Sequence, residues 1–226
     1  MDRPSAQPHQ GQPLLSAGQA LDRARAALLL LHGRGATAAG MLELAERLAQ
    51  PGWAYIAPQA AGGSWYPLPF LAPLERNEPY LSSALVRVSE VVAQIEAAGV
   101  PADRIVLLGF SQGACLACEW AARHPRRYGG VVILSGGLIG PEGTPRDYVG
   151  SFAGTPAFFG CSDRDPHIPL QRVHESAAVF ERMGATVTKR IYPGMAHTIN
   201  NDELEWTRQL LRTLIDGGAQ ETIDYR

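Results

Sequence analysis

The sequence predicts an α/β protein, a mainly parallel, doubly wound sheet flanked by helices. Three observations predict it. Short apolar runs of strand length alternate with longer helical patterns from about residue 13 to the end of the chain. Several of those runs, such as Ala26 to Leu31, Ile105 to Leu108 and Val131 to Leu134, are apolar at every position, as befits strands covered on both faces. The residues able to do chemistry fall just beyond the ends of such runs, where open α/β sheets hold their ligands.

Met1 to Gln12, with Pro4, Pro8 and three glutamines, reads as a loosely held polar tail, and residues 13–226 as one domain. Pro13 to Ala17 and Ala26 to His32 are the first expected strands, the second running into the turn His32-Gly33-Arg34-Gly35. A helix follows over Ala38 to Gln50, with Met41, Leu44, Ala45 and Leu48 on one stripe and Pro51-Gly52 as its stop. Trp53 to Ala57 is a short strand. Pro58 to Pro79 is a long Gly/Pro/aromatic loop, expected to form one wall of a binding pocket, with an apolar plug under the sheet edge as the alternative. Tyr80 to Ala98 is the clearest amphipathic helix, with Leu81, Leu85, Val88, Val92 and Ile95 at three- and four-residue steps. Ile105 to Leu108 and Ala114 to Ala122 form a strand and helix around a tight turn. Val131 to Leu134, Ala157 to Gly160 and Val187 to Tyr192 complete the sheet, with helices over Leu170 to Met183 and Asp202 to Ile215.

Composition narrows the function. At 226 residues, 46% hydrophobic and 19% charged, the chain suits one globular domain with its own core. A net charge of −2 gives no basic footprint for nucleic acid, and no apolar run reaches membrane-spanning length. Three cysteines, an odd number, argue for reduced thiols and a cytoplasmic protein. Cys115 and Cys118 lie within an expected buried helix and, lacking a second pair, read as core fillers instead of metal ligands. No cofactor or metal is implied, and the oligomeric state is open, a homodimer included.

Gly109-Phe110-Ser111-Gln112-Gly113 carries the chemistry. A Gly-x-Ser-x-Gly between a buried strand and a helix has the form of the nucleophile elbow of an α/β-hydrolase, in which a strained turn projects the serine hydroxyl beyond the sheet. A serine needs a base, and the base a carboxylate to hold its tautomer. His197, in the turn after the last strand, is the expected base, while His9 in the tail, His124 and His174 read as structural or solvated. The acid lies in Gly160 to Pro169, which offers Asp163 and Asp165. The Asp-x-x-Ile-Pro ending favours Asp165, leaving Asp163 as a loop-capping or pocket-rim residue. That run lacks the glycine and closing glutamate of a calcium loop. The backbone amides of Gln112 and Arg34 are the candidate donors to an oxyanion, with His32 as a side chain that props the Arg34 turn.

Taken together, His32-Gly33-Arg34-Gly35, Gly109-Phe110-Ser111-Gln112-Gly113-Ala114, Leu134-Ser135-Gly136, Asp165-Pro166-His167-Ile168-Pro169 and Tyr192-Pro193-Gly194-Met195-Ala196-His197 resemble the phospholipase/carboxylesterase family, which includes acyl-protein thioesterases. The resemblance covers nearly all the chain beyond the tail. It implies the α/β-hydrolase fold, Ser111, Asp165 and His197 as a triad, the Arg34 and Gln112 amides as an oxyanion hole, and Ser64-Trp65-Tyr66 as a pocket segment. The family's thioesterases usually carry Leu and then Gly-Asp after His-Gly, where this chain has Arg34-Gly35-Ala36, setting a cation at the mouth. The expected function is a serine carboxylesterase acting on a small-molecule ester of short to medium acyl length, its pocket lined by Trp65, Leu68, Phe70, Leu138, Ile139 and Met195. Thioesterase or lysophospholipase activity is the alternative within the family, and a ligand-binding receptor without turnover the alternative outside it.

Overall fold

A computed structural model describes residues 7–216. Seven strands, β1 (Leu14–Gly18), β2 (Ala26–Leu31), β3 (Trp53–Pro58), β4 (Ile105–Phe110), β5 (Gly130–Leu134), β6 (Pro156–Ser162) and β7 (Thr186–Tyr192), form one sheet in the order β1-β3-β2-β4-β5-β6-β7. Only β1 pairs antiparallel, with β3; every other neighbour is parallel. The alternating pattern of strands and helices requires this, because a helix between two strands carries the chain back to start the next one in the same direction.

Five helices cover the sheet: α1 (Ala38–Glu46), α2 (Tyr80–Ala97), α3 (Gln112–Arg123), α4 (Leu170–Arg182) and α5 (Asn201–Asp216). Side-chain alternation along β2 divides the core in two. Ala27, Leu29 and Leu31 pack with α2, α3 and α4 on one face, while Ala26, Leu28 and Leu30 pack with α1 and α5 on the other. β2 and β4 are thus apolar throughout because neither face meets water, and their C-terminal ends bring the turn after Leu31 beside the turn after Phe110.

Element ends fall within two residues of expectation, apart from two larger differences. The periodic stripe of α1 continues past Glu46, but Arg47, Leu48 and Ala49 donate to carbonyls three residues back, tightening the end of the helix before Pro51. The tail expected over 1–12 is packed against the domain where it is described, from residue 7: His9 is fully buried against Trp65 and Tyr80. Residues 1–6 of that tail, and the end of the expected domain from 217 to 226, lie outside the described residues.

Candidate active site

The serine sits where β4 turns into α3. Ser111 has φ 55° and ψ −120°, a left-handed conformation that costs a non-glycine residue about 1–3 kcal/mol and persists only where its surroundings enforce it. They do so through contact too close for side chains. A Cβ at Gly109 would lie 2.3 Å from the Gly113 carbonyl oxygen, and one at Gly113 would lie 2.1 Å from that of Leu31. The Ser111 amide donates to the Leu134 carbonyl at 3.0 Å, fixing the turn to β5 as well.

His197 lies in the loop between β7 and α5. Its Nε2 stands 2.9 Å from Ser111 Oγ and its Nδ1 2.6 Å from Asp165 Oδ2. The imidazole is seated between the Phe110 ring at 5.0 Å and the His167 ring at 4.9 Å. Asp165 follows β6, its side chain fully buried; Oδ1 accepts from the His167 and Ile168 amides at 2.8 and 3.0 Å, while Oδ2 faces His197 and the Cys161 thiol. Burial alone would raise the pKa of this carboxyl, but the bond from His197 and the two amides outweigh it and hold the group below the ordinary carboxylate value. Asp163 has a different partner: its Oδ1 accepts from the Gly194 amide at 2.7 Å, tying the β6 loop to the His197 loop.

Gln112 and Arg34, whose amides are the expected oxyanion donors, both border the cavity at Ser111. Gln112 opens α3, so its N–H has no acceptor one turn earlier. Gly33 accepts from the Ala36 amide at 3.1 Å, forming a tight turn with Arg34 at its second position, and among the described residues the Arg34 amide has no partner. The turn lies against the nucleophile, since a Cβ on Gly33 would stand 3.4 Å from Ser111 Cβ. His32 props it from beneath: Nδ1–H donates to the Gly33 carbonyl at 2.7 Å and Nε2 accepts from the Ala60 amide at 3.0 Å. Burial lowers the pKa of His32, which keeps it in the neutral form those partners require.

A cavity of about 530 Å³ opens over these groups, lined among others by Arg34, Tyr66, Phe70, Cys115, Ile168 and His197. A model of the phospholipase/carboxylesterase family matches residues 18–215. The chain belongs to that family. Its relatives include the acyl-protein thioesterase 1 of Saccharomyces cerevisiae, 30% identical over 80% of this chain and 89% of the yeast protein. A probable carboxylesterase of Oryza sativa is 26% identical over 69% of this chain and 68% of its own length. Among solved structures, a phospholipase/carboxylesterase from Dyadobacter fermentans superposes with a TM-score of 0.86 at 44% identity, covering 89% of this chain and 97% of that one.

Within this family member, Ser111, His197 and Asp165 come into contact; most of the expected pocket wall does not reach the cavity. Phe70 lines the cavity, whereas Trp65, Leu68, Leu138, Ile139 and Met195 do not. Trp65 is fully buried behind the wall, its Nε1–H on the His32 carbonyl at 2.8 Å and its amide on Gln112 Oε1 at 2.9 Å. Leu138 and Ile139 are drawn into the core because their backbone is held there. Leu138 N–H donates to Ser176 Oγ, Ile139 N–H to the buried Glu119 carboxylate, and Arg172 donates to the Leu138 and Gly140 carbonyls. The Met195 sulfur instead accepts from the Asn200 side chain. Arg34 extends its guanidinium along the rim to the Pro67 and Leu68 carbonyls, both at 2.8 Å, so its charge stabilises the wall loop.

Tyr66, from the expected Ser64-Trp65-Tyr66 pocket segment, does line the cavity, and Phe110, Cys115 and Ile168 join it without having been expected there. Phe110 and Cys115 flank the nucleophile in sequence, and that adjacency was the available signal. Ile168 is placed by tertiary packing, with no mark in its own stretch of sequence.

Proposed function

We propose that the chain is a serine carboxylesterase that hydrolyses small-molecule esters of short to medium acyl length through an acyl-enzyme at Ser111. The observation that carries this reading is the unbroken contact from Ser111 Oγ through His197 to the buried Asp165 carboxylate, at 2.9 and 2.6 Å. In the first half-reaction the Ser111 hydroxyl gives its proton to His197 Nε2 as Oγ bonds to the ester carbonyl carbon. The oxyanion that forms is met by the Gln112 and Arg34 amides, donors that cost nothing to reorganise because backbone fixes them. Asp165 keeps the Nδ1 proton on the side away from the serine and stabilises the imidazolium. Collapse of the tetrahedral species breaks the ester C–O bond, and His197 returns the proton to the departing alcohol. Water, deprotonated by the same nitrogen, then frees the acid and restores Ser111.

Family membership and the relatives' carboxylesterase names support the ester class. The cavity walls, apolar at Phe70, Phe110 and Ile168, suit an acyl group, and a volume of about 530 Å³ suits a small substrate. The yeast relative's name supports a second reading, an acyl thioesterase, since the same groups act on a thioester carbonyl. No helix among the described residues is long and apolar enough to cross a membrane. Three unbridged, buried cysteines support the cytoplasm as the proposed location.

Incubation with a fluorophosphonate, followed by peptide mapping, is expected to label Ser111 stoichiometrically. Chromogenic esters are expected to turn over with wild type and not with Ser111→Ala; equal rates would instead favour a binding protein. Matched oxygen esters and thioesters of increasing acyl length separate the two enzymatic readings.

A further inference from the structure

Residues 7–13, just before β1, form no helix or strand, yet they insert a buried histidine behind the candidate site. His9 Nε2–H donates to the Trp65 carbonyl at 2.9 Å, and its Nδ1 accepts from the Ala61 amide at 3.1 Å. Its own backbone amide donates to Ser83 Oγ on α2 at 3.0 Å, anchoring the segment at the far side. A carbonyl can only accept and an amide N–H only donate, so the two ring partners fix one neutral tautomer. Burial favours the same neutral form. The ring also lies against Trp65 at 5.4 Å and Tyr80 at 6.0 Å.

What His9 grips is the hub of the oxyanion donors. The Trp65 amide donates to Gln112 Oε1, and Gln112 Nε2–H returns a bond to the Tyr66 carbonyl at 2.8 Å, so the first residue of α3 is clamped to Trp65-Tyr66. The Trp65 indole N–H holds the His32 carbonyl, one residue before the Gly33-Arg34 turn. That turn is tied back to the same loop by the Gly35 amide on the Gly63 carbonyl at 2.8 Å. Residues 60–66 are therefore held between two histidines, His32 on the site side and His9 on the outer side.

We propose that His9 is a positioning residue for the hydrolysis assigned above to Ser111: by locking Ala61 and Trp65 it fixes the Gln112 and Arg34 amides relative to one another. The inference rests on that reading of the site. An oxyanion donor works only at about 2.7–3.1 Å from the developing charge, and a misplacement of about 1 Å can cost on the order of 100-fold. Loss of a brace behind both donors is expected to cost less than that, about 10-fold.

The test is made on the full chain, comparing wild type, His9→Ala and His9→Gln, the last keeping a side-chain N–H able to reach the Trp65 carbonyl. Each is measured with p-nitrophenyl butyrate well below its unfolding temperature, with rates divided by the number of sites a fluorophosphonate titrates. His9→Ala is expected to lose about 10-fold in kcat per titrated site with KM changed less than about 3-fold, since the donors act on the transition state. His9→Gln is expected to recover most of that loss. Hydrogen exchange at the Ala61 and Trp65 amides is expected to rise in His9→Ala while α2 is unchanged. Wild-type kcat per titrated site in His9→Ala would overturn the proposal, as would equal losses in both variants. If His9→Ala does not fold, Ser83→Ala, which removes the segment's outer anchor, carries the same comparison. A wild type that is not labelled at Ser111 would defeat the reading of the site itself, an outcome distinct from an active wild type indifferent to position 9.

Discussion

Two aspartates stand two residues apart after β6, and exchanging each for asparagine separates the role of the charge from that of the loop. In Asp165→Asn the Oδ1 position can still accept from the His167 and Ile168 amides, so the loop keeps its shape. The atom facing His197 Nδ1 across 2.6 Å then becomes an NH₂ donor. Two donors cannot share that contact, so the imidazole must move its proton to Nε2. That nitrogen, 2.9 Å from Ser111 Oγ, can then no longer accept the hydroxyl proton. The corresponding change in a serine protease costs about 10⁴ in kcat, or about 5 kcal/mol at ~1.4 kcal/mol per decade, and a loss of that order is expected here. In Asp163→Asn the side chain still offers an oxygen to the Gly194 amide, so the expected loss is under about 10-fold. The assay is turnover of a chromogenic ester at pH 8, normalised by circular dichroism for folded protein. A larger loss in Asp163→Asn than in Asp165→Asn would refute the assignment of the acid.

Four further outcomes are expected. Gly113→Ala sets a Cβ 2.1 Å from the Leu31 backbone oxygen, so two backbones must part; a cost of about 3 kcal/mol, read as a Tm lowered by roughly 6–12 °C, is expected, and an unchanged Tm would contradict the packing. Tyr66→Phe removes a buried hydroxyl that faces only the weakly hydrogen-bonding Cys115 thiol; its Tm is expected to be unchanged or higher, because a poorly paired buried hydroxyl costs about 1–3 kcal/mol. Burial pushes the Cys115 and Cys161 thiols up to about 12 and the Cys118 thiol well above its usual value, so a disulfide reagent at pH 8 is expected to find no fast thiol in native protein and three after unfolding. Glu203 is fully buried, with one oxygen unpartnered, and burial raises its pKa to about 7. A carboxyl raised in the folded state favours folding most below its unfolded pKa and loses that contribution as pH rises through about 7. Wild-type stability is thus expected to fall between pH 5 and pH 8, by an amount of order 3 kcal/mol, and Glu203→Gln to flatten the decline; a parallel decline in both proteins would exclude Glu203 as its source.

What the sequence disclosed and what it concealed follow from the range of the forces involved. The elbow was legible because its requirements are local: glycines at 109 and 113 answer to backbone contacts within one strand-turn-helix unit and the strand beside it. His197 was legible from its place between the last strand and the last helix. Asp165 and Asp163 were not separable by spacing, because the difference lies in which amides each meets after the chain closes: those of residues 167 and 168 for one, that of Gly194 for the other.

The aromatic loop misled for a related reason. An aromatic-rich segment at a sheet edge has one signature whether it faces a ligand or plugs the core, and residues 58–79 do both, Phe70 toward the cavity and Trp65 away from it. The choice is made by polar atoms. An indole N–H and a backbone carbonyl taken out of water must each find a partner, and Trp65 finds His32 and His9, 33 and 56 residues away in sequence. His9 sits among prolines and glutamines with no periodicity to mark it, so a segment that composition assigns to solvent becomes the brace behind the wall. Burial of the tryptophan and burial of the histidine are one event, and neither can be read from its own stretch of chain.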